Sequence, residues 1–252
     1  NMIYYIRAEF NKYFNEIKCY YPDHIVSLVV TYILFLGFFL GLSDNAFQKN
    51  NLYIGFTFWY FASTVISEGS ISVSYEKQTG TFEQLLIKPL NILYLLSIRT
   101  IIWFGFTLLK VIVLFLIISI SIQYVIPFDL KVIPILIITL FGLYGFGMLL
   151  SASTLIFTKT ASFESIISYI LLFFTGGIIP ITQLPKGVAI VAQFLPLTKG
   201  VEISQALLAG IEILPVDFML LLINSFIYFL IGMIVFKMCY KKSQEHGLNS
   251  EY

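Results

Sequence analysis

Hydrophobic and polar positions along the chain fall into six long apolar runs separated by polar connectors, preceded by one stretch of a different period. Over 2–21, Ile3, Ile6, Phe10, Tyr13, Phe14, Ile17 and Tyr20 recur at helical steps, with Arg7, Glu9, Asn11, Lys12, Glu16 and Lys18 between them. That spacing predicts an amphipathic helix. The chain has no soluble core for such a helix to cover, so it is expected to lie along the membrane surface. After Pro22 and Asp23, the uncharged run 25–42 is long enough, at 1.5 Å per residue, to cross about 27 Å of hydrocarbon. Further runs at 52–67, 100–122, 133–157, 165–179 and 218–239 predict five more spans. The second is short and is expected to run on as helix past Glu68.

Two connectors stand out. The segment 68–99 is too polar, and too interrupted by Gly80 and Pro89, to lie in lipid without protein cover, and is read as a substantial loop. The segment 180–217 contains apolar pieces at 188–195 and 201–209, cut by Pro185, Pro196 and Pro215. Neither piece can span, so two short helices dipping into one leaflet are expected there, capping a pathway and covered by protein or lining a wet cavity. A plain exposed loop is the alternative. The expected fold is all-α: one polytopic membrane domain over 1–252, with six transmembrane helices, an interfacial N-terminal helix and re-entrant helices between spans five and six.

Composition agrees. The chain is 58% hydrophobic and 12% charged, against about 45–50% apolar and 25% charged in soluble domains, and its mean hydropathy is +0.90. The 15 Lys+Arg and 14 Asp+Glu nearly cancel, which argues against a nucleic-acid partner. The distribution of basic residues matters more than their number. Ten fall in the N-terminal segment, the 68–99 loop, the connector after the fourth span and the C-terminal end, and four (Lys49, Lys131, Lys186, Lys199) fall on the opposite side. By the positive-inside rule both termini are expected in the cytoplasm of a cell-membrane protein. The six-span count agrees, since an odd number would put the basic C-terminus outside. The N-terminal stretch lacks the features of a cleaved signal, so the first apolar run is expected in the mature protein. Cys19 and Cys239 would both lie at the reducing cytoplasmic edge.

Motifs for chemistry are missing from the sequence. There is no G-x-x-x-x-G-K-[ST], and the glycine cluster Gly142, Gly145 and Gly147 sits among apolar neighbours. There is no H-E-x-x-H, no G-x-S-x-G and no carboxylate pair inside a span. His24 and His246 are the only histidines, both near interfaces or tails. No catalytic residue, metal site or bound cofactor is therefore expected on this chain, and energy for any transport must come from elsewhere. Lys110 is the one charged residue near mid-span, costing about 2.5–3.5 kcal/mol on the insertion scale if unpaired. It is read either as a cavity lysine meeting an anionic or polar substrate, or as a lysine snorkelling or bonding a neighbouring helix's carbonyl. Glycines at 37 and 41 offer a weak close-packing motif.

The first loop reads Ser74-Tyr75-Glu76-Lys77-Gln78-Thr79-Gly80-Thr81-Phe82-Glu83-Gln84-Leu85-Leu86-Ile87-Lys88-Pro89. Thr81 and Gln84 form a capping-box pattern, Gly80 permits a sharp entry and Pro89 a stop. Together they predict a short rigid helix with Phe82, Leu85 and Leu86 on one side. This order of residues resembles the loop between the second and third spans of type-2 ATP-binding-cassette exporter permeases, with Lys77 where that family usually has arginine, a difference that matters for bidentate contacts. A second likeness lies at Gly176-Gly177, Pro180, Leu184-Pro185 and Phe194-Leu195-Pro196-Leu197-Thr198. It is similar to the family's external segment between spans five and six.

The resemblance covers most of the chain and implies a permease half, paired with an identical or different half and docked on a separate cytoplasmic P-loop ATPase that holds ATP and magnesium. It implies coupling to that ATPase through Tyr75, Glu76, Lys77, Gly80, Thr81, Phe82, Glu83 and Leu86. Trp59, Tyr60, Lys110, Tyr169 and Phe173 are the candidates for the translocation pathway, although aromatic residues also serve as interface belt and packing. Pro180, Pro185 and Pro196 mark the external cap. A drug, peptide, lipid or glycan would each suit a pathway with few charges. The competing readings are a secondary transporter, disfavoured by scarce intramembrane carboxylates and no obvious inverted repeat, and an integral-membrane assembly or immunity factor that moves nothing.

Overall fold

The computed structural model of the chain describes residues 2–42, 46–81, 92–124, 127, 129–156 and 161–245. Among these residues there is no strand. The described residues form nine α-helices, in order: α1 (Met2–Cys19), α2 (Tyr21–Gly41), α3 (Ala46–Gln78), α4 (Ile92–Ile122), α5 (Val132–Ile156), α6 (Ala161–Phe174), α7 (Lys186–Gln193), α8 (Pro196–Leu208) and α9 (Pro215–Glu245). Four of them, α2, α4, α5 and α9, are long and apolar enough to cross a membrane.

The two other expected spans fall on helices of a different character. The run 52–67 belongs to α3, whose 33 residues continue well into polar sequence. The run 165–179 falls on α6, whose 14 residues cover only about 21 Å. The expected loop over 68–99 is also much shorter than its composition suggested: α3 runs to Gln78 and α4 begins at Ile92, which leaves 79–91 between them. Polar residues can extend these helices because, as described below, they are paired with one another across helices rather than exposed to lipid.

α3 is the central element, packed against α5, α4, α8, α6 and α2. Phe58, Ala62 and Ile66 are fully enclosed in the main apolar core with Phe35, Phe39, Leu114, Leu143 and Leu221. A second, smaller core gathers Val73, Leu93, Leu96, Met148, Leu155 and Phe236 toward the 79–91 end. The closest pairing is α5 on α9, where the glycine cluster of α5 finds its role. A Cβ added to Gly232 would lie 2.0 Å from the Gly145 carbonyl oxygen, and one on Gly145 would lie 2.4 Å from Phe229 Cα. Small residues here let two backbones touch, which is how helices associate where lipid removes the hydrophobic drive. A Cβ on Gly37 or Gly41, in contrast, would meet nothing within 4 Å, so among the described residues the close packing suggested by their spacing does not occur.

At the opposite end of the molecule, α7 and α8 are the two short helices expected from the proline pattern. Pro180 precedes a 3-10 turn at Ile181–Gln183 and Pro185 precedes α7, while Pro196 is the first residue of α8. Pro196 suits the first position of α8 because its fixed φ matches a first helical turn and its missing N–H would be unpaired there anyway, while Pro180 and Pro185 stand as N-caps with extended ψ, 137° and 139°. Leu197 and Val201 of α8 are fully buried. Gln205 of α8 donates to the backbone carbonyls of Asn51 at 3.1 Å and Gly176 at 3.2 Å, tying α8 to the start of α3 and the end of α6.

Candidate functional site: the polar end of α3

The polar half of α3 forms its contacts in four directions. Lys77 Nζ donates to the carbonyl of Leu155 at 3.0 Å and to that of Thr154 at 3.3 Å. These carbonyls lie in the last described turn of α5, where a cation suits the negative end of a helix dipole. Burial holds the Lys77 ammonium below its ordinary pKa. Ser70 hydrogen-bonds Thr154 of α5 at 2.9 Å and donates to Glu164 in the first turn of α6. Tyr13 of α1 donates to Glu68 at 2.8 Å.

The fourth direction is an ion cluster. Arg99 of α4 is 3% exposed. It donates to Ser72 Oγ at 2.5 Å, to Glu76 Oε1 at 2.9 Å and to Glu9 of α1 at 3.4 Å. Glu9 also accepts from Tyr5 at 3.1 Å, and Lys12 stands 3.9 Å from Glu76. Burial pushes the Glu76 carboxyl up, but the Thr81 hydroxyl and the Arg99 guanidinium outweigh it and hold the pKa below the usual 4.5. One buried arginine thus joins α1, α3 and α4 around paired carboxylates, the arrangement in which a buried charge is tolerable.

Glu76 also fixes how α3 ends. The N–H of Thr81 donates to the Glu76 carbonyl at 3.0 Å and that of Gly80 to Lys77 at 3.2 Å, with Gly80 at φ +70°. This is a Schellman cap, which needs a left-handed residue where Gly80 stands. Gly80 therefore closes α3, and the Thr81 hydroxyl donates to the Glu76 carboxylate. Tyr75, 61% exposed, stands out from the same turn. Phe82, Glu83 and Leu86, with the helix expected to begin at Thr81, lie outside the described residues.

The pathway candidates divide into two places. Trp59 donates to the Ser168 carbonyl at 2.8 Å and stacks on Tyr169 at 6.5 Å. Phe173 meets Phe38 of α2 edge-on at 5.8 Å. With Tyr60 beside Trp59, these residues gather where α3 meets α6 and α2. Lys110 is elsewhere. Its Nζ lies 3.0 Å from His24 Nδ1 and 5.8 Å from the Trp103 ring, so its described contact is a side chain in the first turn of α2.

Arg99 and Glu9, which organise the cluster, were not singled out by sequence. Arg99 reads as one more loop cation, and Glu9 as one of several charges between apolar positions. A usable signal is the i, i+4 row Tyr5, Glu9, Tyr13, which puts a carboxylate between two hydroxyl-bearing rings on one face of α1.

A family model described as ABC-2 type transporter matches residues 4–209. The chain belongs to the ABC-2 type transporter family. The match runs from α1 through α8, so the ion cluster, the α3 cap and the proline-headed short helices all lie within it. No curated protein matches the chain. As an ABC-2 protein it is the multi-pass membrane component of an ABC transporter, a type of subunit that works with an ATPase partner and is generally not catalytic itself.

Proposed function

We propose that the chain is one permease half of an ATP-driven exporter, with six spans, both termini and the 79–91 loop in the cytoplasm, and a second half beside it. A separate P-loop ATPase holding ATP and magnesium docks on the loop through Tyr75 and the segment 81–89, and alternating access follows from its closure. The observation that carries this reading is the Glu9–Arg99–Glu76 cluster. It ties the two flanks of the loop to each other and to α1, so a push on the loop is delivered to three helices at once. A loop with unanchored flanks would absorb the push in its own bending.

The capped end of α3 supports the same reading, since the Schellman turn sets the direction in which the chain leaves toward 82. The Trp59, Tyr60, Tyr169 and Phe173 group is the proposed lining of the pathway, and α7 and α8 its external cap. The test is reconstitution in vesicles with a P-loop ATPase encoded beside this chain. ATP-dependent export that requires both proteins is expected, and ATP-independent movement driven by a proton or sodium gradient would reject the reading. The orientation is tested by impermeant thiol labelling of Gln78→Cys, which should react only after cells are opened.

A further inference from the structure

α4 and α5 follow one another in sequence and both pack on α3, yet they make at most marginal contact with each other. The gap between them is a slot of about 720 Å³. Phe58 and Phe61 of α3 form its floor, Ile112 and Leu116 of α4 one wall, and Ile133 and Ile137 of α5 the other. The floor is buried while all four wall residues are exposed, so the slot opens sideways, toward lipid. From Tyr53 to Phe61 it follows α3 for about 12 Å, close to the roughly 15 Å depth of one leaflet.

A slot of this composition holds hydrocarbon. Water finds too few polar partners in it, and an empty gap forfeits the dispersion contacts of every wall. Tyr53 and Thr57 of α3 add hydroxyls to the lining, and at the end away from Arg99 Ser119 and Asp129 contribute to it. Asp129 accepts the Lys131 backbone N–H at 2.9 Å through Oδ1. Among the described residues its other carboxylate oxygen takes no hydrogen bond. A half-buried carboxylate at the mouth of an apolar slot favours a ligand with a hydrocarbon body and a cationic, hydrogen-donating head. Lys131, exposed two residues along, adds a cation for an adjoining phosphate.

We propose that this slot binds a bilayer phospholipid with a primary ammonium head, phosphatidylethanolamine, its acyl chain lying between α4 and α5 and its ammonium on Asp129. A choline head has the charge but no N–H to donate, and a glycerol head has neither, so the order of preference is ethanolamine, choline, glycerol.

The test uses the full chain in nanodiscs containing a phosphatidylethanolamine or a phosphatidylglycerol whose acyl chain carries a diazirine, with adducts mapped by mass spectrometry after photolysis. Adducts from the ethanolamine lipid should concentrate on 108–116 and 133–137, above those on the lipid-exposed face of α9. Asp129→Asn should reduce the ethanolamine preference by up to about fivefold, the size of a partly exposed ion pair. Leu136→Trp, which fills the slot, should remove these adducts while leaving those on α9. Labelling spread evenly over α4, α5 and α9 in the unaltered chain would overturn the site, whatever the variants do. Labelling indifferent to headgroup or to Asp129→Asn would overturn the ammonium assignment. Absence of slot adducts together with a disulfide between Ile112→Cys residues of two copies would assign the slot to a protein neighbour instead.

Discussion

Replacing Arg99 with methionine keeps its apolar stem and removes its charge, and two buried carboxylates, Glu9 and Glu76, lose their common partner. Each of the three donor contacts of Arg99 ends on a buried group. Removing one member of such a cluster costs about 3–5 kcal/mol, because the remaining charges stay out of water without compensation. On the thermal scale of a chain this size, that is a drop on the order of 10 °C. The assay is the melting of detergent-solubilised protein followed by fluorescence-detected size exclusion, run at one scan rate because unfolding of such proteins is often irreversible. The decisive comparison is with the variant combining Glu9→Gln, Glu76→Gln and Arg99→Met. It buries no unpaired charge and should recover most of the loss. A single-variant shift no larger than that of an exposed substitution would show that Arg99 strands no buried charge when removed. So would a triple variant no more stable than the single one, since the penalty would then not come from stranded charge.

Other expectations follow from the same geometry. Gly80→Ala puts a Cβ on a left-handed residue and should destabilise the end of α3 by about 1 kcal/mol, seen as faster amide exchange over 75–81. Gly145→Val places side-chain atoms where the Phe229 backbone already lies and should prevent stable expression, whereas Gly37→Ala, with open space around it, should melt like the unaltered protein. Glu76 has its pKa held below 4.5, so its contribution to stability is full above that value and is lost as pH falls through the lowered one. Melting between pH 7 and pH 3 should therefore show an acid arm that Glu76→Gln reduces, and an unchanged arm would count against the ion cluster.

Apolar runs made most of the helices legible, because a bilayer demands long uncharged segments and the backbone must bond to itself within them. The prolines at 180, 185 and 196 placed the short helices for an equally local reason. What hydropathy left open is how far the polar stretch after Ser67 stays helical. A helix running on past Glu68 was expected, though 68–99 as a whole read as loop, and α3 reaches Gln78 because Ser70, Ser72, Glu76 and Lys77 each find a partner on another helix. Those partners are 23 to 84 residues away in sequence, a distance at which no local pattern speaks. The same blindness hid Arg99 and left Lys110 open between two roles. On α1 the helical period was plain, but its facing was not: Phe10 and Phe14 are exposed while Glu9 and Tyr13 are buried. The helix turns its polar row toward the protein and leaves apolar side chains for lipid.

Drive of this permease by a partner ATPase through the loop between α3 and α4 is tested by Leu86→Glu in the chain co-purified with its ATPase, followed by hydrolysis and transport in the same vesicles. A carboxylate set into a desolvated interface without a partner should cost several kcal/mol. Loss of the ATPase from the complex is expected, or its retention with ATP hydrolysis that moves no substrate. Normal co-purification together with normal transport would show that the loop does not carry the coupling.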